Sequence, residues 1–122
     1  MNFLDVRVRA DGQRPVVDVG AAQIAVPSAL LSFTDRPVLL GIRAENIGVS
    51  AQPRPDGAAA TVEVVEPIGS GVLLTVTLGG QGLKVLAPPT FRVTRGATVW
   101  LAFAPDRLRF YDGETTMALE AA

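Results

Sequence analysis

The stretch Val72-Leu73-Leu74-Thr75-Val76-Thr77-Leu78-Gly79-Gly80-Gln81-Gly82-Leu83-Lys84-Val85-Leu86-Ala87 decides the fold class. Val72, Leu74, Val76 and Leu78 fall on one side of an extended chain and Thr75 and Thr77 on the other, which is the two-residue period of a half-buried strand. Gly79, Gly80, Gln81 and Gly82 then supply the positive-φ conformations that tight hairpins need, before a second apolar run over 83–87. Residues 72–87 therefore read as a β-hairpin.

Outward from the hairpin the pattern persists. Residues 98–104 place Val99, Leu101 and Phe103 on one face, and Leu108 with Phe110 opens another short strand after a Pro105-Asp106 turn. Trp100 lies between Val99 and Leu101 and is assigned to packing in the core or between lobes. Earlier strands are expected over 3–9, 16–19, 23–26, 38–43 and 60–65, with Asp11-Gly12 and Asp56-Gly57 as turn markers. Single helical turns are expected near 28–32 and 44–47, and no long helical period occurs. Many short strands with nine prolines point to an all-β barrel or sandwich. The loop-like stretch 51–57 divides the chain into a 1–50 lobe and a 58–122 lobe, joined within one domain.

Composition narrows the chemistry. A chain of 122 residues can bury roughly two-thirds of the surface its unfolded form exposes, enough for a core without staples. Cysteine is absent, which removes disulfides and thiolate metal sites and suits a reducing compartment. Histidine is absent as well, and with it the commonest general base, the commonest neutral metal ligand and every Ser-His or Cys-His nucleophile. Eleven basic residues against twelve acidic ones leave a net charge of −1 and no overall pull toward nucleic acid or anionic lipid. The longest apolar run, over 38–42, falls far short of the roughly 20 residues that span a bilayer, and no signal-peptide pattern appears.

Candidate chemical groups have simpler structural readings. Glu63 and Glu66, three apart on a strand, leave opposite faces of a sheet unless a bulge intervenes, so they do not flank one bond. Asp106 and Asp112 precede Arg107 and Gly113 as ordinary turn residues. Lys84, the sole lysine, follows Leu83 and not the second glycine of a phosphate loop. Arg107, Arg109 and Tyr111 share a face on the strand they are assigned to, which reads as solvated arginines on an edge and not as a base-stacking platform. No catalytic residue, cofactor site or metal site is assigned.

Four segments in order carry a family resemblance. They are Met1-Asn2-Phe3-Leu4, Leu40-Gly41-Ile42-Arg43-Ala44-Glu45-Asn46-Ile47, Val65-Glu66-Pro67-Ile68-Gly69-Ser70, and the run from Leu101 through Pro105-Asp106-Arg107-Leu108-Arg109-Phe110-Tyr111-Asp112. Together they resemble the C-terminal regulatory domain of maltose-type ABC importer ATP-binding subunits, the transport-associated OB (TOBE) domain. Ala44 stands where that family usually has proline, and Gly71 where a glutamate often follows Gly-Ser. Leu78-Gly79-Gly80-Gln81 is superficially similar to the signature that opens a phosphate-binding helix in ABC ATPases, but here it joins two strands.

The resemblance implies an OB-fold-like domain of two interleaved small barrel-like lobes, with the ATPase domain outside this chain. It implies a non-catalytic regulatory and dimerisation role in a bacterial importer of sugars, polyols or glycerol phosphate. The implied partners are its own ATPase domain, a twin in the transporter dimer and a regulatory protein. Permease subunits would supply indirect membrane association, in the cytoplasm at the inner membrane, with no nucleic acid bound. Interface candidates carried over are Arg43, Glu45, Glu66, Gly69, Ser70, Arg107 and Arg109. An alternative is a small-ligand sensor that binds an oxyanion or sugar between lobes through backbone amides and arginines such as Arg43 or Arg95.

Overall fold

The computed structural model describes residues 1–19, 22–55 and 57–119. Ten strands follow one another: β1 (Asn2–Asp11), β2 (Arg14–Val19), β3 (Ala22–Ala25), β4 (Pro37–Ile42), β5 (Ile47–Ser50), β6 (Ala58–Pro67), β7 (Val72–Leu78), β8 (Gln81–Ala87), β9 (Thr98–Phe103) and β10 (Arg109–Asp112). Three short 3-10 turns, Ser28–Phe33, Ala44–Asn46 and Pro105–Arg107, are the helical content. The fold is all-β, as the alternating pattern predicts, and OB-fold-like, as the family resemblance implies.

Two five-stranded antiparallel sheets result, in the orders β10-β4-β1-β2-β3 and β5-β9-β6-β7-β8. Alternation sends Leu4, Val6 and Val8 of β1 inward, along with Val72, Leu74, Val76 and Leu78 of β7. These join Val17, Leu30, Leu40, Ile42, Val85 and Leu101 in one continuous core that both sheets share. The second sheet curls until β8 lies against β5 and the Ala44–Asn46 turn, so its two edges nearly meet.

The decisive hairpin forms over 72–87, but its connection is shorter than the four residues read, with Leu78 opposite Gln81 and only Gly79 and Gly80 in the turn. Both glycines have positive φ, 57° and 80°, the signature of the two-residue hairpin turn whose twist matches its strands.

Sheet membership does not follow the 1–50 and 58–122 division. Ile47, expected in a helical turn, and residues 48–50, left unassigned by sequence, pair with β9 in the second sheet, and β10 from the carboxy-terminal half completes the edge of the first. Four residues, two of them Gly48 and Ser50, carry too little alternation to announce a strand; tertiary pairing makes it one. Trp100 is half-buried on the outer face of β9, opposite the inward Val99 and Leu101, and stands outside the core. The Asp56 half of the Asp56-Gly57 turn marker lies outside the described residues, while the Gly57 N–H bonds the Arg54 carbonyl at 3.0 Å.

A pair of side-chain amides joins the sheets. Residues 2–7 of β1 pair with β4 on one side, whereas β2 meets only residues 8–11 on the other, which leaves a bare stretch of edge. Gln81 fills it: its Oε1 accepts from the Asp5 N–H at 2.8 Å and its Nε2 donates to the Asp5 carbonyl at 3.0 Å. Reciprocally, Asn2 Oδ1 accepts from the Lys84 N–H at 2.8 Å and Asn2 Nδ2 donates to the Lys84 carbonyl at 2.6 Å. Each amide imitates one residue of a neighbouring strand. Asn2→Ala and Gln81→Ala should each lower the unfolding free energy by about 1–2 kcal/mol, two net hydrogen bonds apiece. Urea titration measures this, and two changes near zero would mean that the sheets close without the clasp.

Candidate docking surface

The candidate residues fall into two groups. Arg43 precedes the Ala44–Asn46 turn with extended backbone, and its carbonyl accepts the Asn46 N–H at 2.9 Å. Glu45 sits exposed within that turn, and no ion pair joins it to Arg43 among the described residues. Arg109 stands opposite Gly41 in the β4–β10 ladder, so the turn that carries Arg107 lies toward the end of β4 from which Arg43 departs. Arg107 belongs to the Pro105–Arg107 turn and not to a strand, because the chain must swing from β9 to β10 across the two sheets. Its Nε lies 4.0 Å from Asp106 Oδ2 with both side chains well exposed, an arrangement that adds little stability. Arg109 Nη1 donates to the Leu108 carbonyl at 3.1 Å.

The second group sits in the other sheet. Glu66 is near the end of β6, and Gly69 with Ser70 forms the exposed turn into β7, where Gly69 adopts φ of +77°. The Ile68 N–H bonds the Gly71 carbonyl at 2.9 Å and the Ser70 N–H bonds the Ile68 carbonyl at 2.8 Å. A bulge between Val62 and Val64 corrects the expected placement of the two glutamates. Val62 pairs with the inward Val76, Val64 with Thr75, and Glu66 with Leu73, so Glu63 becomes the unpaired extra residue. Glu63 Oε2 accepts from Thr77 Oγ1 at 2.8 Å on the outer face. Both carboxylates therefore share the solvent side, with exposed Val64 between them.

The departure at Gly71 has a steric cause. A Cβ there would collide with the Ala87 carbonyl oxygen and approach Leu86 Cδ1 to 3.2 Å, which leaves no room for the glutamate that the resemblance expects. Gly71→Ala should destabilise the fold by about 1–3 kcal/mol through overpacking. Gly82→Ala, where nothing lies within 4 Å, should stay within about 0.5 kcal/mol of the parent; chemical denaturation of the two variants side by side makes the comparison.

Electrostatically the surface is plain. Among the described residues no charged or polar side chain is buried, and no three acidic side chains gather as a metal site. Arg9 and Asp18 pair across β1 and β2 at 2.8 Å, a hydrogen bond that lowers the Asp18 pKa and raises that of Arg9. The Asp112 carboxylate is held below its usual value by the N–H groups of Glu114 and Thr115, at 2.8 and 3.2 Å, with a smaller contribution from Arg36 at 3.4 Å.

Two family models divide the chain between them. The TOBE domain model matches residues 40–110 and the MalK OB fold domain model matches residues 1–47. The chain belongs to the TOBE family. This TOBE chain is 32% identical over 115 residues to the sn-glycerol-3-phosphate import ATP-binding protein UgpC of Escherichia coli K12, a match covering 94% of it and 32% of that relative. It is 31% identical over 121 residues to the sulfoquinovosyl glycerol transport ATP-binding protein SmoE of Agrobacterium fabrum, covering 98% and 33%. The trehalose/maltose import ATP-binding protein MalK of Thermococcus litoralis is 31% identical over 130 residues, covering 98% and 34%. The chain thus spans about a third of the length of these relatives. The molybdate-bound crystal structure of the cytoplasmic protein ModG superposes with a TM-score of 0.67 at 14% identity, over 89% of this chain and 94% of that one, and shows the fold alone.

Residue-by-residue reading of the TOBE chain missed Asn2 and Gln81, since nothing in a lone side-chain amide announces a distant main-chain partner. It also missed the ring pair of Phe3 and Tyr111, whose centroids are 5.9 Å apart in an edge-on arrangement. The Asp112 shift sets a pH test. Because the folded pKa is lowered, its contribution is complete above the unfolded value of 3.8 and is lost as pH falls through the folded one. Asp112→Asn should be less stable than the parent at neutral pH, and the gap should close below about pH 4 in thermal melts across an acid series.

Proposed function

We propose that this chain is the non-catalytic docking and dimerisation domain of the ATP-binding subunit of an importer for sugars, polyols or glycerol phosphate, working at the cytoplasmic face of the membrane. One observation carries the reading: relatives that are import ATP-binding proteins match 94–98% of this chain, yet the match accounts for only 32–34% of their own length. The remaining two-thirds is where hydrolysis would reside. What this chain contributes is a framework whose described polar side chains are all at least partly solvent-exposed. Such a surface suits recognition better than bond-making, which needs polar groups held in dry, shaped sites.

Two ATP-hydrolysing domains must separate and re-close in each cycle. A rigid companion domain that keeps its own contact throughout raises their effective concentration for re-closure. The exposed groups around Arg43, Glu45, Arg107 and Arg109, and the β6–β7 turn with Glu66, Gly69 and Ser70, are the surfaces this role would use.

Sedimentation velocity on the isolated chain, alone and mixed with the ATP-hydrolysing domain of the matching subunit, tests the role. Self-association at high concentration and a stable mixed complex are expected. A strictly monomeric chain with no affinity for that domain would overturn the proposal.

A further inference from the structure

On the outer face of the first sheet, the residues that point away from the core do not form the usual polar coat. The ladder aligns Phe3, Gly41 and Arg109 in one row and Asp5, Leu39 and Tyr111 in the next. Gly41 carries no side chain, and three others converge over it. A Cβ at that position would meet Met1 Sδ at 2.9 Å, Phe3 Cε1 at 3.2 Å and Tyr111 Cε2 at 3.2 Å. The glycine leaves room for a methionine and two rings, set edge to face, to pack over the sheet. They remain open to solvent all the same: Met1 is 56% and Phe3 50% exposed.

An aromatic pair held in fixed geometry and capped by a methionine loses little conformational freedom when it is covered, and such groups dominate the energetics of protein interfaces. The patch also has a polar border, with Arg109 closing one row and Asp5 opening the next.

We infer that this Met1-Phe3-Tyr111 platform over Gly41 is the seat of the ATP-hydrolysing portion of the subunit, an inference that rests on the function proposed above. Two observations select this occupant. The relatives are about three times as long as this chain, and on the function proposed above their remaining portion joins the domain at its first strand, beside the place Met1 holds. That place is inside the patch. A body tethered there is held at high local concentration over the apolar surface beside its own tether. The occupant should present aliphatic side chains to the two rings and a carboxylate to Arg109.

The measurement is calorimetric titration of the full chain with the separately produced ATP-hydrolysing domain of the matching subunit. Phe3→Ser and Tyr111→Ser should each weaken binding at least about tenfold, with the circular dichroism spectrum retained. Val64→Ser, at the exposed apolar position of the other sheet, should leave affinity unchanged. Hydroxyl-radical footprinting of the unaltered chain gives a readout that does not depend on variants folding: Met1, Phe3 and Tyr111 should become protected when the partner is added.

If the parent binds while the two serine variants bind equally well, or if only Val64→Ser loses affinity, the platform is not the seat and the wider function stands. If protection appears on raising the concentration of this chain alone, the occupant is a second copy and the inference fails. If the parent does not bind at all, the proposed function fails with it.

Discussion

A single apolar interior, reached by alternate side chains from two sheets, is the constraint on which everything else in this domain rests. Each inward Leu, Ile or Val that is fully covered contributes about 1.5–3 kcal/mol relative to exposure, and the described core holds no polar side chain. Its stability therefore depends on closeness of fit and not on a buried hydrogen-bond network. That explains why Gly71, pressed against the Ala87 carbonyl, tolerates no side chain, while Gly82 a few residues away on the hairpin has open space around it. It also leaves the polar chemistry where solvent screens it. The Arg9–Asp18 and Arg107–Asp106 pairs are surface ornaments of the fold and not its supports.

Sharing one core does not by itself hold two sheet edges together. Strand edges present unpaired N–H and C=O groups, and an open edge invites pairing with another chain. Here the bare edge of β1 and the outer edge of β8 are each met at one residue by a side-chain amide, without adding a strand. The β10 edge is treated differently: the chain folds back, with the Asp112 N–H bonded to the Met117 carbonyl and the Leu119 N–H to the Phe110 carbonyl. With those edges occupied, recognition falls to side chains on the faces and turns. This agrees with a domain that docks through surfaces instead of extending its sheets.

Much of the architecture was legible in the sequence because strand alternation is local. The face of Val72 to Leu78 and the glycine-rich reversal after it are read from neighbours alone, and so is a strand over 3–9. What escaped depends on partners distant along the chain. Ile47–Ser50 becomes a strand because β9 lies beside it, and the bulge at Glu63 is a mismatch between β6 and β7 that neither strand shows alone. Trp100 was misplaced for a simpler reason. A large ring between Val99 and Leu101 suggests packing in the core or between lobes, but its parity puts it on the outer face. Of the candidate surface, the motif residues are named by family likeness alone. The platform over Gly41 needed the register of three strands, which no local pattern supplies.

The crossing of β5 and β10 into each other's sheets has a consequence for biosynthesis. The first sheet awaits its last strand at residues 109–112, and the second awaits β9, which must slide between β5 and β6. Neither sheet is complete until residues 98–112 have been made. Until then apolar strand faces stand uncovered, and long-range pairing of this kind is slow to form. The two sheets thus depend for completion on one late segment of the chain, made after all their other strands.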